Sequence, residues 1–182
     1  MMATAVQLDE VLTHIGFGKW QVQIVPILCV GSIADAIEVN LLAFLAPCAQ
    51  EEFSLTYFQT SSLTGVVFLG ELIGAFFFGS FADNFGRRSA YLISLCVTFL
   101  FGVATFFATG YASLALLRSL VGFGIGGICV PFDYLAEVSP AKHRGKLCLV
   151  AGFCWGVGSV LITCFAWILL PHFGWRALAL AA

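Results

Sequence analysis

Four ionisable side chains stand in stretches that otherwise offer them no water: Asp35 and Glu38 in one apolar run, Glu71 in the next, and Arg118 in a later one. A charge in hydrocarbon costs roughly 3 kcal/mol or more, so such residues turn toward a partner or a water-filled path. Asp35 and Glu38 are three residues apart and share one face of a helix. Carboxylates so placed are able to carry protons, to hold a cation, or, when protonated, to hydrogen-bond within a bundle. Glu71 is open in the same way, as a third group on a path or as a neutral hydrogen-bonder between helices. Arg118 keeps its proton and needs a carboxylate or carbonyl, for which Asp35 or Glu38 is the candidate. These four residues are the candidate path for substrate or protons.

A second constellation lies in Gly79-Ser80-Phe81-Ala82-Asp83-Asn84-Phe85-Gly86-Arg87-Arg88, between apolar runs at about 60–82 and 89–109. The chain must leave one run, turn at Gly86 and enter the next within six residues. Asp83 against Arg87 and Arg88 predicts a charge-paired clasp, with arginine suited to a forked contact. The segment Glu137–Lys146 is basic with one acid at its start, so Glu137 and Arg144 are expected to join that cluster. The plainer alternative for both segments is a solvated basic loop. Asp133 is expected to be solvated or paired with a nearby base rather than to meet substrate.

The elements that must position these groups follow from composition. Of 182 residues, 60% are hydrophobic and only 10% charged, with mean hydropathy +1.01, whereas a soluble domain carries about a quarter charged residues. This is the composition of an integral, all-helical membrane protein. Spans are predicted at about 21–47, 60–82, 89–109, 112–134 and 147–170, and a sixth starts near 177. The links are a loop at about 48–59 bearing Glu51 and Glu52, and an outer turn at Pro171–Arg176. Residues 1–20 are expected to form a separate cytoplasmic amphipathic segment, with Leu8, Val11, Leu12 and Ile15 on one side, and residues 21–182 the bundle. Lys19, Arg87, Arg88, Lys142, Arg144 and Lys146 fall on one side and Arg176 on the other, which places the N-terminus in the cytoplasm. No signal peptide or lipidation motif is read at the start.

Glycines mark where helices approach. Gly70 and Gly74 form a small-xxx-small pair, and Gly122, Gly124 and Gly126 follow Arg118, with 118, 122 and 126 on one face. The seven cysteines form no C-x-x-C and stand mostly in apolar runs, as small hydrophobes. No motif calls for a metal, a cofactor, nucleic acid or a catalytic nucleophile, so an enzyme is not expected. Phe85-Gly86-Arg87-Arg88 and Phe173-Gly174-Trp175-Arg176 echo each other after the second and fifth spans, as inverted repeats would place them.

The pattern G-x-x-x-D-x-x-G-R-R between two spans resembles the signature loop of the major facilitator superfamily. Arg118–Gly127 is similar to that superfamily's fourth-helix motif, and Glu137-Val138-Ser139-Pro140 with Arg144-Gly145 resembles the E-x-x-P-x-x-x-R-G segment of its sugar and organic-ion branches. A narrower resemblance, to the synaptic vesicle 2-related branch, rests on Ile15–Gln21, Asp35-Ala36-Ile37-Glu38 with Leu41-Leu42 and Ala46-Pro47, Tyr134–Glu137, and Phe173–Arg176. Together these cover the chain from about Ile15 to Ala182. The resemblance implies a secondary transporter of a small organic solute, with proton coupling through Asp35 or Glu38. Asp35, Glu38 and Arg118 would lie near the central cavity. Asp83, Arg87, Arg88, Glu137 and Arg144 would form a cytoplasmic gate network. Asn84 departs from the basic residue often found there, and Glu71 matches no family motif. The superfamily is built of two six-helix halves, so the expectation is an N-terminal half with five complete helices and part of a sixth. Its path would be completed by a missing C-terminal half or by a second copy. The alternative is a non-transporting membrane protein that uses the fold for binding or regulation.

Overall fold

The computed structural model describes Gly16 and residues 18–182. The amphipathic segment predicted from Leu8, Val11, Leu12 and Ile15 lies outside the described residues. Six helices follow: α1 Lys19–Glu52, α2 Tyr57–Phe85, α3 Arg87–Thr105, α4 Tyr111–Ile125, α5 Cys129–Val138 and α6 Ala141–Ala181, with a 3-10 turn at Gly126–Ile128 joining α4 to α5. Five helical segments are long and apolar enough to cross a membrane, α4 and α5 acting as one. In hydrocarbon a helix satisfies every backbone group within its own segment, and that requirement fixes the architecture.

Helix ends explain where the sequence boundaries shift. The α1 helix has 34 residues, about 50 Å at 1.5 Å per residue, and so overruns a hydrocarbon core of about 30 Å. It absorbs half of the loop predicted at 48–59. Thr56 then starts α2, its hydroxyl accepting from the Gln59 amide while the Gln59 side chain accepts from the Thr56 amide. Between α2 and α3 stands Gly86 alone, at φ 92°, a conformation that a side chain would strain. The outer turn predicted at Pro171–Arg176 is shorter than expected. The helix runs through Pro171 and breaks only at Gly174, with φ 72° and ψ −179°. A proline forfeits one helical hydrogen bond, whereas an open loop would forfeit several in apolar surroundings. Trp175 therefore opens the sixth span two residues early.

Two apolar clusters stack along the bundle. One gathers Leu41, Leu45, Leu63, Leu114, Ile162 and Leu178 toward the Gly174 face. The other gathers Leu28, Phe78, Tyr91, Val130 and Leu135 toward the Gly86 face. On α1 the two meet between Leu28 and Ile33, just before Asp35 and Glu38. Elsewhere the backbone itself makes the contact. A β-carbon on Gly70 or Gly74 of α2 would collide with the Ser119 or Phe123 carbonyl of α4, and one on Gly122 with the Val67 carbonyl of α2. Gly126 meets Gly74 and Ala75 in the same seam, while Gly124 faces Ser94 and Thr98 of α3. The expected glycine face is therefore a packing face against α2, and Arg118 leaves it to reach α1 and α3. Phe76 and Trp167 point outward, 74% and 84% exposed, as lipid or a second protein half would require and water would not.

Candidate functional site

At mid-bundle, α4 sends Arg118 across to α1. Its Nη1 donates to Glu38 Oε2 at 3.0 Å, and its Nε donates to Thr105 Oγ1 of α3 at 3.2 Å. Thr105 is free to accept because its own proton goes to the Phe101 carbonyl, 2.9 Å away. Gly102, one turn earlier on α3, makes the room: a β-carbon there would stand 2.6 Å from Glu38 Oε1. Arg118 is 1% exposed and Glu38 7%, so the pair is buried together. The guanidinium thus has a carboxylate and a hydroxyl, and its Nη2 has no hydrogen-bond partner among the described residues.

Asp35, which the sequence offered equally as partner to Arg118, is left over. It is 3% exposed, and its Oδ2 has no hydrogen bond among the described residues. The charged groups that act on it are both acids, Glu38 on its own helix and Glu71 on α2. Glu71 is half-buried and makes no side-chain hydrogen bond or ion pair among the described residues. The structure thus sorts the four groups into a matched pair, an orphaned buried acid and a second acid within electrostatic reach. A carboxyl in such a place takes up a proton or a cation when one is offered, since its ionised form has no counter-charge beside it.

At the Gly86 face the cluster forms around Arg87. Its Nη2 lies 3.0 Å from Asp83 Oδ1 and 2.9 Å from Glu137 Oε1, its Nε donates to Glu137 at 3.3 Å, and its Nη1 is 3.8 Å from Asp133 Oδ2. Asp133, expected to be solvated or paired with a nearby base, meets Arg87 at the edge of this network. Arg88 does not join it through any ion pair among the described residues and is exposed; the next residue on a helix turns about 100° away. Arg144 approaches the Ser139 carbonyl at 3.4 Å. Gly79 meets nothing within 4 Å, so a close approach is not its role. A cavity of about 360 Å³ opens between α1, α3 and α5 above this cluster, with Arg87, Arg88 and Tyr91 in its lining.

A third cluster, at the Gly174 face, was visible in sequence only as a faint echo. Glu52 at the end of α1 accepts from Trp175 Nε1 at 2.6 Å and from Arg176 Nη1. Arg176 also donates to the Ala108 carbonyl at 3.1 Å and lies 4.5 Å from the Trp175 ring centroid. Phe53 meets Trp175 edge to face. One carboxylate therefore ties the end of α1 to the α3–α4 link and to the start of the sixth span.

Comparison with known proteins agrees with this geometry. Residues 27–180 match the family model described as sugar (and other) transporter. The chain is 39% identical to the organic cation/carnitine transporter 7 of Arabidopsis thaliana over 173 residues, 95% of this chain and 35% of that one. It is 36% identical to the synaptic vesicle 2-related protein of Xenopus laevis over 169 residues, 93% and 31% of the two chains. The chain thus spans about a third of the length of these relatives. Among solved structures, the inward-open xylose transporter of E. coli superposes with a TM-score of 0.78 at 19% identity, covering 88% of this chain and 44% of that one. A D-xylose–proton symporter superposes with 0.75 at 22%, covering 87% and 44%.

Proposed function

We propose, since this chain belongs to the sugar (and other) transporter family, that it forms the first half of a secondary carrier for a small organic solute and that Asp35 couples transport to protons. It is an integral, multi-pass membrane protein with the fold of the N-terminal half of a major facilitator carrier. A carrier of this kind rocks one half against another about a site near the bilayer midplane. The second half, from further chain or a second copy, would complete the path. The positive-inside count sets the Arg87 face, and with it the N-terminus, in the cytoplasm.

The observation that carries this reading is the asymmetry of the acid layer. Glu38 is already balanced by Arg118, whereas Asp35 is buried without a cation. With Glu71 nearby, three acids face one base, which suits a cationic substrate better than an anionic one. The name of the Arabidopsis relative, organic cation/carnitine transporter 7, points the same way. The Arg87 cluster then acts as the cytoplasmic gate network, making and breaking exposed ion pairs as that side closes and opens. This is a carrier's division of labour rather than an enzyme's.

The test is uptake by the assembled carrier, both halves present, in proteoliposomes across a pH gradient, with carnitine and xylose as probes. Saturable uptake that responds to the gradient is expected, along with loss of that response in Asp35→Asn. An Asp35→Asn carrier with unchanged uptake and pH response refutes the coupling role. Absence of saturable flux for any organic solute leaves the binding or regulatory alternative.

A further inference from the structure

Gly31 is what allows a tyrosine to reach the acid layer. A β-carbon at position 31 would fall on the Tyr91 hydroxyl and lie 2.7 Å from its Cζ. Glycine therefore lets the phenol of α3 press end-on against α1. Asp35 is one turn further along the same face of α1. Helical side chains lean toward the N-terminus, over the turn preceding their own Cα. A side chain at position 35 is thus able to lean back over the turn that Gly31 leaves bare, against which the Tyr91 hydroxyl rests.

Both groups are buried, and neither Asp35 Oδ2 nor the Tyr91 hydroxyl has a hydrogen-bond partner among the described residues. Apart from Arg118 Nη2, which belongs to a guanidinium already held by Glu38, the other polar groups around them are engaged or unsuited. Glu38 and Thr105 hold Arg118, Ser32 donates to the Leu28 carbonyl, Cys29 faces Cys154 of α6, and Glu71 is another acid. Asp35 is also the charged group that acts most strongly on Tyr91. Buried polar atoms are seldom left alone, and two orphans facing one bare turn have each other as the available partner.

We propose that Tyr91 is the positioning residue for Asp35: its hydroxyl, directly or through one water, is the hydrogen-bond partner of the Asp35 carboxyl. A phenol both donates and accepts. It therefore gives its proton to the charged carboxylate and receives one from the neutral acid, serving both states of a group that exchanges protons. A rotation of the Asp35 side chain closes the contact, or one bridging water spans it. The pairing fixes where the carboxyl points and the pH at which it exchanges. It rests on the reading of Asp35 as the coupling acid.

The experiment compares wild type, Tyr91→Phe, Asp35→Asn and the double variant in the assembled, reconstituted carrier. Infrared difference spectra between acid and alkaline buffer identify the Asp35 carboxyl as the C=O band that Asp35→Asn removes. Phenylalanine keeps the ring against Gly31 and deletes only the hydroxyl. Tyr91→Phe is expected to move that band to higher wavenumber. It is also expected to shift the pH midpoint of uptake by about one unit to the alkaline side, because the carboxylate has lost a donor. In the Asp35→Asn background, Tyr91→Phe is expected to change neither. A band that stays in place overturns the pairing and leaves the carrier reading intact, as does a Tyr91→Phe effect that persists in full without Asp35. If Asp35→Asn leaves the pH response of uptake unchanged while Tyr91→Phe still moves the band, the pairing stands and the coupling role fails. If Asp35→Asn removes no band, both are refuted.

Discussion

Glutamine at position 38 tests the buried ion pair most severely. Arg118 Nη1 and Glu38 Oε2 are 3.0 Å apart. With an effective dielectric constant near 20, that separation gives an attraction of about 5.5 kcal/mol. Desolvating the two ions costs several kcal/mol each, so the intact pair contributes little net stability. Breaking it is another matter. Glu38→Gln leaves a guanidinium, 1% exposed and unable to lose its charge, with Thr105 Oγ1 and a neutral amide. The expected loss is about 3–5 kcal/mol. Arg118→Met is expected to cost less, because the glutamic acid it strands is able to bind a proton and become neutral. The double variant removes both charges and should recover most of the loss. Unfolding by sodium dodecyl sulfate titrated into a mild detergent, followed by tryptophan fluorescence, ranks the three. The reasoning is refuted if Glu38→Gln falls within about 1 kcal/mol of wild type, or if the double variant loses the sum of the two single losses.

Two further outcomes follow from the packing. Gly122→Ala places a β-carbon against the Val67 backbone, which has no side-chain freedom with which to yield. It should cost about 1–3 kcal/mol or prevent folding, while Gly79→Ala, facing open space, should be neutral or slightly stabilising in the same titration. Glu52→Gln loosens the hold on Trp175 and Arg176. At about 1 kcal/mol for a part-exposed pair it should speed maleimide labelling of Cys48, one turn earlier on α1, about fivefold; an unchanged rate counts against the clasp.

The helices and the Arg87 loop were readable from sequence because each depends on local facts: a run of apolar residues, a single glycine, and an acid four residues before an arginine. The identity of Arg118's partner was not, because Asp35 and Glu38 share one helix face and differ only in what α3 places opposite them. Gly102 clears space for Glu38, whereas Tyr91 occupies the turn below Asp35. Neither signal lies near the acids in the chain. Arg88 was grouped with Arg87 by adjacency, which on a helix means divergence. Asp133 was expected to be solvated or to meet a nearby base, and that base is Arg87, because Asp133 lies one turn before Glu137 on the same helix. Pro171 read as a boundary, but the apolar surroundings favour a helix with one missing hydrogen bond over an open turn.

The two glycine junctions connect these pieces. Gly86 and Gly174 are both left-handed, each follows a phenylalanine, and each separates two spans by one residue. After Gly86, Arg87 pairs with Glu137 near the end of α5; after Gly174, Arg176 pairs with Glu52 at the end of α1. The correspondence is one residue out of step, since Trp175 stands where Arg87 would align and itself donates to the same carboxylate. Spans one to three and four to six run in opposite senses, so α1 and the α4–α5 segment occupy equivalent places, and each is fastened at its C-terminal end by the start of the last span of the other trio, α1 by the sixth and the α4–α5 segment by the third. The half-bundle is therefore tied at both membrane faces by the same device, with the acid layer between. At the Arg87 face the ties are exposed carboxylates on a single guanidinium, each worth little and easily exchanged. At the Trp175 face aromatic rings and a backbone carbonyl reinforce one carboxylate. The half-bundle is thus held more firmly at the Trp175 end than at the Arg87 end. Within this half, the Arg87 face is where rearrangement costs less.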